Sequence, residues 1–237
     1  MIKAILFDLD GTLIHMDQDG FLHAYFRRIA AYFAERGYDP VRFSDAMSKS
    51  VYIMLNNNGE MYNDALFWKH FTKFYGDESI ADDIPAFDLF YRTAYDDVKP
   101  YCAERTGSAA LLAELRRRGY PLVLASNSVY PPIAYERRME WCGLRADMFD
   151  FMTTYENMHY CKPSSGYFLE IADRLGVRPE ECLMVGNDVS DDMSARACGM
   201  QVFLVTDSLL LNPKGEDISS IPQGGFEELI QYIEEQG

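Results

Sequence analysis

The chain has 237 residues, 48% of them hydrophobic and 14% aromatic, with a formal net charge of −15. That apolar content suffices for a packed core and excludes a disordered chain. The negative balance argues against nucleic acid or an anionic membrane as partner, but a phosphorylated small molecule stays open because a local cation acts at short range.

The first predicted element is a short apolar run, Ile2 to Leu9, that ends in Asp8, Asp10, Gly11 and Thr12. Its length and composition suit a strand of a parallel sheet covered on both faces by helices. An unpaired buried carboxylate is costly, so Asp8 and Asp10 belong at the open carboxyl end of that strand, where α/β sheets hold ligands. Gly11 lets the chain turn away and the two carboxylates splay around one centre. Two close carboxylates repel unless a cation or proton lies between them, and a hard divalent ion such as Mg²⁺ is the expected guest. With the metal in place, one aspartate can serve as nucleophile and the other as acid and base.

Residues Ile14 to Gly20 read as a polar turn or small flap leading away from the sheet; Asp17, Asp19 and Gly20 lack the later glutamate of a calcium loop. From Phe21 to Tyr95 the pattern is helical. Four apolar stripes are marked by Phe21/Tyr25/Ile29/Phe33, Met47/Val51/Met54, Phe67/Phe71/Phe74 and Phe87/Phe90/Tyr91. Four helices without a strand predict an all-helical cap domain inserted into another domain. We place the cap at 17–97 and the core at 1–16 and 98–237.

After the hinge Lys99-Pro100-Tyr101, the alternating βα pattern returns. A helix is expected over Ser108–Arg118 and a buried strand over Pro121–Ala125 that ends in Ser126-Asn127-Ser128. A helix follows from about Pro132 to Cys142, then a strand near Phe151–Tyr155. Lys162-Pro163-Ser164-Ser165 opens a helix that closes at Gly176. Another strand, Glu181–Gly186, ends in Asn187-Asp188-Val189-Ser190-Asp191-Asp192. A short helix over Met193–Cys198, a strand over Gln201–Thr206 and a terminal amphipathic helix complete the chain. This implies an α/β fold with a Rossmann-like parallel sheet core and right-handed crossovers. Three strands end in polar clusters, and in a parallel sheet those ends share one edge. The five cysteines form no C-x-x-C pair, and no apolar run approaches membrane-spanning length, so a cytoplasmic protein without a leader is expected.

In order along the chain, FDLDGTL (Phe7–Leu13), LASNS (Leu124–Ser128), CKP (Cys161–Pro163) and VGNDVSDDM (Val185–Met193) resemble the four motifs of the haloacid dehalogenase (HAD) superfamily. The helical insertion between the first two is similar to the cap of its first subfamily. The resemblance implies that Asp8 is the nucleophile, forming an aspartyl-phosphate, and Asp10 the general acid and base. It implies Mg²⁺ bound by Asp8, the backbone carbonyl of Asp10 and Asp188. Ser126 and the backbone N–H groups of Asn127 and Ser128, at a helix start, would bind phosphate. Lys162 would pair with phosphate and Asp8. Thr12 would support the loop around Asp10 or act as a cap, and it stands with Asn127 among the substrate-binding candidates. Asp192 would support Lys162 or a metal-bound water, with Asp191 as its rival.

The function so implied is a Mg²⁺-dependent phosphatase acting on a small phosphorylated metabolite, as monomer or homodimer. A sugar-phosphate mutase would need basic cap residues, for which Arg27, Arg28, Lys49 and Lys69 are available, and a non-catalytic phospho-ligand-binding module would lack the nucleophile, the acid/base or the lysine. Substrate choice is expected in the cap and in loops such as Asn56–Met61 and His15–Gly20.

Overall fold

Burial on both faces explains why the sheet strands read as unbroken apolar runs. In the computed structural model, which describes residues 1–210, 215 and 217–236 and only the backbone of Glu78, Ser79 and Ala81, strand β1 (Ala4–Phe7) is fully buried. Ile5 and Phe7 face a core built with Leu112, Leu115, Tyr135, Met139, Leu229 and Ile233. Ala4 and Leu6 face the opposite core, with Tyr167, Phe168 and Ile171. Alternate residues thus serve two apolar layers, the three-layer solution of an α/β domain.

The main sheet also contains β4 (Leu122–Leu124), β5 (Phe151–Met152), β6 (Cys182–Gly186), β7 (Gln201–Val205) and β8 (Gln223–Gly224). Its six strands are all parallel, in the order β5-β4-β1-β6-β7-β8. The register pairs Phe7 with Leu124 on one side and with Val185 on the other. Asp8, Ala125 and Gly186 therefore lie at the same level, and three motifs distant in sequence meet at one edge. Helices α5 (Ser108–Arg117), α6 (Pro132–Trp141) and α8 (Phe226–Glu235) cover one face and α7 (Ser165–Leu175) the other.

Between β1 and β4 the chain departs and returns through an antiparallel ribbon of β2 (Ile14–Met16) and β3 (Cys102–Glu104). The ribbon replaces the expected flap at residues 14–16. The following residues are not a turn either: Asp17 caps α1 (Gln18–Ala34), accepting a hydrogen bond from Gly20 N at 3.1 Å. Its short carboxylate satisfies an orphan N–H of the first turn, so Asp19 and Gly20 are helical. Helices α2 (Pro40–Leu55), α3 (Asn63–Tyr75) and α4 (Ile84–Thr93) follow. All four expected apolar stripes enter one aromatic-rich cluster. The third expected strand is only the two residues of β5, and residues 193–198 form 3₁₀ turns instead of an α-helix. No helix among the described residues is long and apolar enough to cross a membrane.

Candidate active site

The buried lysine organises the site. Lys162 is 2% exposed, and its ammonium lies 3.1 Å from Asp8 Oδ1 and 2.6 Å from Asp192 Oδ1. Burial works against the lysine's charge, but Asp192 and Asp8 outweigh it and hold the ammonium protonated. The other oxygen of Asp192 accepts the backbone N–H of Asp188 at 3.0 Å, so the carboxylate that orients Lys162 also fixes the loop after β6. Gly186 makes this approach possible, because any Cβ there would collide with the Asp192 carboxylate.

Beneath Asp8, the Thr12 hydroxyl lies 3.1 Å from Asp8 Oδ2 and 3.1 Å from Asn187 Oδ1, sharing one proton between two acceptors. Asn187 is oriented by donating to the Ser208 carbonyl at 2.8 Å. Gly11, at φ +85°, turns the chain where Asn187 leaves no room for a Cβ. Thr12 is fully buried and does not line the cavity; its hydroxyl braces Asp8 rather than the loop around Asp10.

Asp10 points elsewhere. Its Oδ2 lies 3.2 Å from Arg138 Nη1, and its Oδ1 is buried without a partner. Arg138, on α6, is 1% exposed and sits over the rings of Tyr130, Tyr135 and Phe21. Among the described residues its Nε and Nη2, like Asp10 Oδ1, have no hydrogen-bond partner. Burial pushes the Asp10 carboxyl up to about 6, against the lowering effect of Arg138 and with a further push from Asp8.

These groups open into a cavity of about 370 Å³ that Asp8, Asp10, Ser126, Asn127, Lys162, Asp188 and Asp191 line on the core side. The Ser126 hydroxyl has no hydrogen-bond partner among the described residues. Asn127 is held at both ends of its amide: Nδ2 donates to Asp191 Oδ2 at 3.3 Å and Oδ1 accepts from Lys162 N at 3.2 Å. The N–H groups of Asn127 and Ser128 do not lie at a helix start. Pro131 and Pro132 hold the preceding chain extended, and α6 begins only at Pro132.

The fit for a hard divalent ion rests on the donor set. One oxygen of Asp188 accepts from Ser190 N and Asp191 N, at 2.7 and 2.9 Å, while the other has no partner among the described residues. Burial and the neighbouring charges of Asp188 and Asp8 push the Asp191 carboxyl up, and the counteracting cation is Lys162. No three His, Cys, Asp or Glu side chains among the described residues are grouped to hold a metal by themselves. Asp8 and Asp188 could hold Mg²⁺ together with a backbone carbonyl and water, an oxygen set that suits this ion.

The family model for haloacid dehalogenase-like hydrolases matches residues 2–199. The chain belongs to that family. A glyceraldehyde 3-phosphate phosphatase of Methanothermobacter thermautotrophicus is 25% identical to this hydrolase over 214 residues, covering 88% of both chains. A phosphoglycolate phosphatase of Chromobacterium violaceum is 28% identical over 214 residues, covering 86% of this chain and 85% of the relative. The crystal structure of a 2-haloacid dehalogenase from Pseudomonas syringae superposes with a TM-score of 0.63 over 100% of both chains, at 21% identity, a likeness of fold.

Two residues of this hydrolase's site escaped the reading of the sequence. Asn187 was passed over in favour of the neighbouring aspartates. Arg138 did carry a signal: Ala134, Tyr135 and Met139 mark the buried face of α6, and Arg138 falls within it. Helix α3 is also tied to the core. Asn63, fully buried, donates to the Ser128 hydroxyl at 3.0 Å and the Tyr160 carbonyl at 3.2 Å, while its Oδ1 accepts from Asn57 at 2.8 Å. Of the loops expected to govern substrate choice, Met16 and Gln18 line the cavity and residues 56–61 do not.

Proposed function

We propose that this hydrolase is a Mg²⁺-dependent phosphatase that cleaves a small phosphate monoester through a phosphoryl group carried on Asp8. The observation that carries the reading is Asp8 itself. Both of its oxygens are oriented, by Lys162 and Thr12, at the wall of a cavity that also presents the unpartnered Ser126 hydroxyl. Two relatives of similar length bear phosphatase names.

An Asp8 oxygen attacks phosphorus, the bond from phosphorus to the alcohol oxygen breaks, and Asp10 delivers a proton to the departing oxygen. Asp10 then takes a proton from water, which attacks phosphorus and breaks the bond to Asp8, releasing inorganic phosphate and restoring the carboxylate. A carboxyl held at about 6 suits both duties near neutrality. Lys162 and Ser126 hold phosphoryl oxygens, and Asp192 holds Lys162. Mg²⁺, bound by Asp8, the Asp10 carbonyl and Asp188, supplies the charge neutralisation that lets an anionic nucleophile meet an anionic phosphate. Residues 17–97 act as a cap over the core of 1–16 and 98–237, closing to exclude bulk water.

Return of the phosphoryl group to a bound sugar phosphate would need a cationic grip in the cap. Arg27, Arg28, Lys49 and Lys69 do not line the cavity; Arg28 pairs with Asp97 and Lys49 with Asp45. The test is phosphate release from a generic aryl phosphate, with Mg²⁺ or with chelator, by wild type and Asp8→Asn. Release that needs Mg²⁺ and falls by orders of magnitude in the variant is expected. Metal-independent release, or full activity in Asp8→Asn, would overturn the proposal.

A further inference from the structure

We infer that the alcohol released by this enzyme is uncharged and largely apolar, with the bulk of one aromatic ring or a short alkyl chain. The inference rests on the phosphatase reading and names its substrate class. It comes from the contrast between the two sides of the same cavity. The core side is polar and acidic. The cap side is walled by Phe26, Val51, Leu55, Phe67, Trp68 and Phe87, and among the described residues no lysine, arginine or histidine of the cap lines it.

Few polar side chains stand on this wall: Gln18, Tyr25, Trp68 and Tyr91. The hydroxyls of Tyr25 and Tyr91 lie 2.7 Å apart and bond to each other. A sugar or polyol entering here would exchange its many bonds to water for the few that the Gln18 amide and one tyrosine hydroxyl offer, at a cost typical of burying unpaired hydroxyls. A substrate with a second carboxylate or phosphate fares worse. The two cations on the cavity wall, Lys162 and Arg138, are committed to Asp8, Asp192 and Asp10. The Arg138 guanidinium is buried and sits over the rings of Tyr130 and Tyr135. Asp188 and Asp191 add repulsion at the wall. An apolar alcohol loses nothing polar and gains burial against rings and aliphatic side chains. The volume, about 370 Å³, is at the small end of ligand cavities, which bounds its size.

The test compares esters of similar chemical reactivity on the full-length enzyme with Mg²⁺. These are a straight-chain series from ethyl to hexyl phosphate, benzyl phosphate, glycerol 3-phosphate and 2-phosphoglycolate. We expect kcat/KM to rise about fourfold per added methylene until the cavity is full, with benzyl and hexyl phosphate ahead of both polar esters. Leu55, 38% exposed on the cavity rim, tolerates replacement without loss of the core. Leu55→Lys should lower kcat/KM for hexyl phosphate and raise it for 2-phosphoglycolate. A flat alkyl series, or preference for the polar esters, with release still abolished by Asp8→Asn, overturns the apolar substrate class and leaves the phosphatase reading standing. Phosphate release from none of the esters removes the phosphatase reading, and this inference with it.

Discussion

Arg138 Nη1 and Asp10 Oδ2 lie 3.2 Å apart, the guanidinium almost wholly buried, and each partner keeps further polar atoms unpaired. Asp10 owes its orientation to a residue on the helix after β4, not to its own loop. Replacing Arg138 by Met should have two effects. Removing one partner of a buried pair costs roughly 3–5 kcal/mol of stability, read as a lower denaturant midpoint. The second effect is on pH. Burial raises the Asp10 carboxyl and Arg138 lowers it, so without Arg138 it rises further, and the alkaline limb of kcat/KM, along which the proton donor of the first step is lost, moves to higher pH. A limb that stays where the wild-type limb lies would show that Arg138 does not set the charge on Asp10.

Lys162→Met should leave Asp8 and Asp192 facing one another without their counter-charge. Burial already raises the Asp192 carboxyl and Lys162 lowers it, so without the lysine it is pushed further above its unfolded value. A raised carboxyl stabilises the fold below the unfolded pKa, and that contribution is lost as pH rises through the folded pKa. The melting temperature of Lys162→Met, measured against wild type, should therefore recover as pH falls from neutral toward mildly acidic. A deficit independent of pH would mean that lost packing dominates.

For the metal, Asp188→Asn is more informative than truncation. The amide oxygen can still accept the N–H groups of Ser190 and Asp191, so the loop keeps its shape while the charge is gone. Calorimetric Mg²⁺ affinity should fall by at least the roughly 10–100-fold that losing a supporting partner costs. Wild-type affinity in this variant would remove Asp188 from the ligand set.

Gly186→Ala adds one methyl group where the Asp192 carboxylate approaches the backbone. Overpacking of this kind costs about 1–3 kcal/mol, and here it displaces Asp192 from Lys162. Activity should fall more than stability alone explains, with kcat affected more than KM. An active, merely less stable variant would mean that the Asp192–Lys162 contact is not needed in turnover.

The sheet and the acidic edge were legible because buried parallel strands carry long apolar runs that stop abruptly at Asp8, Ser126 and Asn187. The register that sets those ends level was not, since it depends on pairing between strands far apart in sequence. Ribbon strands of three residues, such as Ile14–Met16, are too short for a period-2 pattern to stand out from a polar turn. The four apolar stripes of the cap were readable, but they could not show which rings close the aromatic core and which face the cavity. The Asp10–Arg138 pair joins two elements with no local relation, although Arg138 could have been noticed as a charge on an apolar helix face.

Asn63 clips the start of α3 to Ser128 and Tyr160, beside the loops that carry Asn127 and Lys162. Val51 and Leu55, which shape the cap side of the cavity, lie one helix earlier, on α2. That part of the wall is thus a separate stretch from the fastener, whereas Phe67 and Trp68 share α3 with it. Descendants of this enzyme could exchange α2 and inherit a new diet while the latch that seats the cap stays as it is.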